Sequence, residues 1–137
     1  MADTIRLVEY FYVMAPQKPG VGAALLTELQ QSGVNLLAFS GFPSGRGAQV
    51  DFVPEDPASF RAVAKRARGK VEGPKRALLV MGDDRAGAVA DIMKRLADAK
   101  INVTAVDAVC AGSGRHGDIL WTRPATIKRA ASLLGAA

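Results

Sequence analysis

Residues 13–38, VMAPQKPGVGAALLTELQQSGVNLLA, and residues 80–105, VMGDDRAGAVADIMKRLADAKINVTA, decide how this chain is read. Val13-Met14 recurs 67 positions later as Val80-Met81, Gly20 as Gly87, Ala23 as Ala90, Leu29 as Leu96, Asn35 as Asn102 and Ala38 as Ala105. The same spacing, with no gap, carries on to Asp51 and Asp118 and to Pro57-Ala58 and Pro124-Ala125. Chance rarely keeps so many matches in one register, so the chain reads as two copies of one small unit, divided near residues 69–75.

Each copy then predicts the same elements. Residues 5–13 and 77–81 are apolar, β-branched and aromatic runs of strand length. Val21, Leu25, Leu26 and Leu29, and likewise Val89, Ile92, Met93 and Leu96, recur every three or four residues and form one apolar helical stripe per copy. Gly33 suits a left-handed helix end, a position that Lys100 fills poorly. Residues 34–39 and 101–106 read as second strands, and the Gly-rich stretches 41–47 and 111–117 as hairpin turns into third strands at 49–53 and 118–121. Pro57 and Pro124 sit where a second helix begins, since a first-turn proline gives up no hydrogen bond. The stripes Phe60, Val63, Ala64, Ala67 and Ile127, Ala130, Ala131, Leu134 complete those helices.

The expected fold is α+β: two ferredoxin-like βαββαβ units in tandem, residues 4–72 and 75–137, with antiparallel sheets and the helices on one face. The last strand is short in the first unit and missing from the second. Such an edge must be paired or covered, which predicts a homodimer, or a loan from the long opening run at residues 5–14.

Composition excludes much chemistry. The 137 residues are 49% hydrophobic and 23% charged, the mix of a globular protein, and no window approaches a membrane-spanning length. The expectation is a cytoplasmic chain that engages no membrane. One cysteine and one histidine leave no disulfide framework and too few ligands for a zinc site, and no nucleophile–base pair lies at informative spacing, so neither a catalytic residue, a metal nor a cofactor is expected. The net charge of +5 is concentrated at Lys65, Arg66, Arg68, Lys70, Lys75 and Arg76, a stretch without interleaved aromatics, so specific nucleic-acid binding is not expected either.

The segment 14–21, MAPQKPGV, running into the first helix and then Gly33-Val34-Asn35-Leu36, resembles the ACT domain, the small ligand-binding module of amino-acid metabolism. The second copy, Gly82-Asp83-Asp84-Arg85-Ala86-Gly87 with Ile101-Asn102-Val103, is similar but lacks the proline before its glycine. The resemblance implies units that pair side by side or back to back and bind small effectors between them. It also implies ligand contacts at Pro19, Gly20, Val21, Asn35 and Leu36 in the first copy, and at Asp84, Arg85, Gly87, Asn102 and Val103 in the second. A helix N-terminus headed by glycine offers free N–H groups to a carboxylate, and an asparagine amide both donates and accepts. Each position also has a bland reading: the glycines ease a turn, the asparagines cap local backbone, and the acids favour a helix start.

The remaining motifs are assigned to structure. Residues 112–117, GSGRHG, precede a strand and lack the Lys-Ser/Thr of a phosphate loop, so they read as a hairpin tip with His116 exposed. Cys110 and Trp121 read as packed. The expected function is a stand-alone, non-catalytic regulatory or sensor protein that binds an amino acid and acts on a regulated enzyme or regulator. The rival from another class is a structural dimerisation module with vestigial pockets.

Overall fold

The computed structural model describes residues 3–66 and 70–137. Ala67, Arg68 and Gly69, which the sequence reading placed in a helix stripe and in the basic stretch, lie outside the described residues. The elements are β1 (Thr4–Pro16), α1 (Val21–Gln31), β2 (Leu36–Ser44), β3 (Gly47–Pro54), α2 (Pro57–Arg66), β4 (Glu72–Asp83), α3 (Ala88–Asp98), β5 (Val103–Gly112), β6 (Arg115–Thr122) and α4 (Ile127–Leu134).

The chain forms two compact units, Glu9–Lys75 and Arg76–Ala137, the latter joined by the amino-terminal residues up to Val8. Both long strands are divided by this boundary. In the Glu9–Lys75 unit the strands lie in the order β2-β3-β1-β4, with residues 72–75 of β4 at the edge. In the other unit the order is β1-β4-β6-β5, and residues 4–8 of β1 form the edge strand. The amino-terminal boundary therefore differs from the expected 4–72. The run at 4–16 is 13 residues long, well over the usual five or six of a strand, and its first part joins the second copy. Ile5 packs in that unit's core, and the N–H of Ala137 donates to the Ile5 carbonyl at 3.1 Å. The strand missing from the second copy is thus supplied from the start of the chain.

Each unit packs its helices on one sheet face. In the Glu9–Lys75 unit Phe11, Val50 and Phe52 meet Leu29, Phe60 and Val63, with the Phe11 and Phe60 rings stacked 4.8 Å apart. In the second unit Ile5, Leu78, Val80 and Leu120 meet Ile92, Leu96, Ile127, Ala130 and Leu134. Burying side chains of this kind contributes about 1.5 to 3 kcal/mol each, which makes these clusters the main source of stability.

The repeat is not gapless in space. Phe11 pairs with Phe52 and Val13 with Val50, but Leu78, the repeat mate of Phe11, pairs with Leu120, and Val80 pairs with Asp118. The third strand of the second copy is therefore offset by one residue. The extra residue lies at the irregularity between Cys110 and Gly112 in β5. A shift of one residue exchanges the two faces of a strand. Asp118 consequently shares the helix-facing side with Val80 and Leu120, whereas Asp51, its identical mate in the aligned sequence, stands opposite Tyr12 on the other face.

Two helix ends also differ from expectation. Lys100 adopts the left-handed conformation at φ 60°, as Gly33 does at φ 73°, despite its side chain. Asp56 caps α2, accepting from the Ala58 N–H at 3.1 Å and the Ser59 hydroxyl at 2.7 Å. By contrast α4 starts at Ile127 behind Thr126, and Pro124 stands in the preceding turn rather than at the first helical position.

Candidate functional site: two related clefts

Each unit has a cleft where its first strand turns into its first helix. In the Glu9–Lys75 unit the cleft is about 520 Å³ and is lined by Pro16, Lys18, Pro19, Val21, Phe42 and Val50 among others. In the second unit it is about 320 Å³, with Asp84, Arg85, Gly87, Cys110, His116 and Asp118 in its wall. The mouths are built alike. Gly20 and Gly87 are the N-cap residues of α1 and α3, both left-handed, at φ 91° and φ 82°. A Cβ at either would meet nothing within 4 Å, so it is the positive φ that calls for glycine, not a close approach to the sheet. The first N–H groups of each helix have no partner within the helix, and they edge the clefts at Val21 and Gly22 and at Val89 and Ala90, whereas the Ala88 N–H donates to the Arg85 carbonyl at 3.2 Å.

The floors differ. Because of the one-residue offset, Ala48 and Val50 occupy in the first cleft the places that His116 and Asp118 occupy in the second. His116 is 6% exposed and Asp118 2%, which reverses the expectation of an exposed hairpin histidine. Residues two apart on β6 share a face, and here that face is the core side. His116 Nδ1 donates to Asp118 Oδ1 at 2.9 Å, and Nε2 lies 3.6 Å from Asp3 Oδ1, within ion-pair reach but beyond hydrogen-bond distance. The hydrogen bond to Asp118 raises the His116 pKa above its ordinary 6.5, burial opposes it, and Asp3 adds to the rise. Gly82 makes room for the group, since a Cβ there would collide with the Asp3 carboxylate and come within 2.8 Å of His116 Nε2.

The rim of this second cleft is held by its own residues. Arg85 donates to the Asp83 carbonyl at 3.2 Å and pairs with Asp91 at 3.2 Å and Asp3 at 3.5 Å. Cys110, expected to be packed, is exposed, and its Sγ lies 3.2 Å from Asp84 Oδ2. Trp121 is buried, as expected.

The residues expected to contact a ligand fall into two groups. Pro19, Gly20 and Val21 stand together at the first mouth, and Asp84, Arg85 and Gly87 at the second. Asn35 and Leu36, and Asn102 and Val103, lie beyond the other ends of α1 and α3, roughly 16 Å away along eleven-residue helices. Within a unit, therefore, glycine and asparagine do not converge. Asn35 instead donates to Glu55 Oε2 at 2.7 Å while its carbonyl accepts from the Glu55 N–H at 2.9 Å, which ties the start of β2 to the loop before α2. The residues that sequence reasoning missed are His116, Asp118 and Asp3. A signal existed: His116, Asp118 and Leu120 alternate on one face of a strand otherwise rich in apolar residues.

No family model matches the chain, and no curated protein matches it. Solved structures do. A protein of Bacteroides thetaiotaomicron superposes with a TM-score of 0.81 at 14% identity, over 96% of this chain and 88% of that one. The regulatory subunit of aspartate kinase from Thermus thermophilus gives 0.62 at 13% identity, over 98% of this chain and 95% of that one. The aspartokinase alpha and beta subunits give 0.65 at 16%, over 96% and 94%. The fold is ACT-like. The clefts described above thus lie on a scaffold that other proteins also use, and what they hold has to be argued from their own atoms.

Proposed function

We propose that this chain is a non-catalytic regulatory protein whose ACT-like units bind a small metabolite of the amino-acid class, and that it works as a cytoplasmic homodimer. The observation that carries this reading is the pair of clefts in equivalent places, each edged by the free N–H groups of a helix headed by a left-handed glycine. Such an end attracts a carboxylate, by roughly 0.3 to 1 kcal/mol from the helix dipole alone. The aspartate kinase subunit of similar fold is named as regulatory, which agrees with the reading. The polar groups in the second cleft do not weaken it: His116 Nδ1 is taken by Asp118, and the thiol of Cys110, which stands opposite His116 across the strands, is engaged with Asp84 Oδ2 at 3.2 Å.

A thermal-shift screen of the protein against the twenty amino acids tests the proposal. A ligand at a hundred times its dissociation constant should stabilise the fold by about 2.7 kcal/mol. If no amino acid raises the unfolding temperature, the chain is better described as a dimerisation module with vestigial pockets. Light scattering tests the homodimer separately.

A further inference from the structure

The two clefts differ most at the floor, and the second floor holds an unsatisfied acceptor. Asp118 Oδ2 is buried and has no hydrogen-bond partner among the described residues, while its sister oxygen is taken by His116. A desolvated carboxylate oxygen without a donor is unfavourable, and Asp118 is one of the residues around a cleft that opens to solvent. The geometry points to the second cleft as a site for an organic ammonium group, which would donate to Asp118 Oδ2. This deepens the proposed function and rests on it.

Several observations narrow the occupant. A carboxylate oxygen only accepts, so the group must donate. Around it Asp3, Asp84, Asp91 and Asp118 outnumber His116 and Arg85, which favours a cation. Among the described residues no three of His, Cys, Asp or Glu converge as a metal site, which leaves an organic cation. Ala88, Val89, Ala108 and Val109 give the cleft apolar walls that suit a short aliphatic body. The first cleft, with Ala48 and Val50 at the corresponding places, has no such acceptor.

The single histidine makes the test direct, because there is no second imidazole ring to confuse with it. The full chain would be titrated with ethylammonium chloride, and in parallel with sodium chloride at matched ionic strength, while the His116 ring is followed by NMR. The expected result is a saturable shift with ethylammonium alone. Asp118→Asn, which keeps the shape and offers an amide instead of a carboxylate, should weaken binding about ten- to a hundredfold, the equivalent of one charge-assisted hydrogen bond. A His116 ring that responds identically to both salts, as it would if only water meets Asp118, overturns the inference. So does unchanged affinity in a folded Asp118→Asn variant. The two readings fail separately: amino acids that stabilise the protein beside an inert ethylammonium titration would leave the regulatory function standing and remove the ammonium site. Ethylammonium binding without any amino-acid response would do the reverse.

Discussion

The cleft of the Glu9–Lys75 unit and the cleft of its sibling share a mouth and differ in the floor. At the mouth the sequence repeat holds, glycine against glycine, because the turn from strand to helix needs a positive φ in both. At the floor one added residue near Ala111 has turned β6 over relative to β3, so that Ala48 and Val50 are replaced by His116 and Asp118. A single residue of register thus converts an apolar floor into a charged one without changing the order of the elements. The two aspartates lie on opposite faces of their sheets. Asp51 is also buried, at 3% exposure, but on the other face, where its carboxyl is raised by burial and opposed by the Gln49 hydrogen bond and by Lys75.

The most forceful way to break this comparison is to take one member of the charged pair away. His116→Ala copies the first cleft at one position and leaves Asp118 buried without its partner. It should cost about 3 kcal/mol, the low end for a buried pair because the cleft opens to solvent. The double change His116→Ala with Asp118→Val copies the first cleft fully and should fall within about 1 kcal/mol of the parent, since apolar replacements of buried pairs are often neutral. Urea unfolding decides it. A double variant as unstable as the single one would mean that the two floors are not interchangeable.

Gly82→Ala tests the space behind the pair. The residue in the matching place of the first copy is Ala15, but at Gly82 a methyl would strike Asp3 and crowd His116. A loss of about 1 to 3 kcal/mol is expected from overpacking. Retained stability together with a free Asp3 would show that residues 4–8 are held by Ile5 alone. Lys100→Gly should act in the other direction and least strongly, gaining about 1 kcal/mol by removing a side chain from a left-handed position that Gly33 already occupies in the other copy. Thermal unfolding of the two glycine variants side by side measures both.

The pair also predicts a pH dependence with a definite sign. Because the folded pKa of His116 is raised, its contribution to stability is fully present below the unfolded value of about 6.5 and is lost as pH rises through the folded value. Between mildly acidic and mildly alkaline pH the parent should therefore lose stability relative to the double variant. Equal slopes for the two proteins would locate the pH sensitivity elsewhere.

Much of the fold was legible because errors in one copy were checked by the other. The strand and helix stripes, Gly33 as a left-handed end and Asp56 with Pro57 at a helix start all follow from local rules that tertiary packing reinforced. The division of β1 was only half legible: the length of the run at 4–16 indicated a loan, but which residues crossed depended on packing around Ile5. The site was the least legible part. Matching Asp51 with Asp118 concealed the one-residue offset and sent His116 to the hairpin surface. The repeated asparagines drew attention as ligand contacts, yet Asn35 is engaged with Glu55 at the far end of α1. Repetition locates what both copies need for folding. A difference between the copies is the better guide to what one of them does.

The central claim, that a charged pair is buried in the second cleft and in that cleft alone, is met most directly by titrating the His116 ring by NMR across neutral pH. The account predicts a midpoint above 6.5 that falls when Asp118→Asn removes the carboxylate. A midpoint at or below 6.5, unchanged by that substitution, would contradict it.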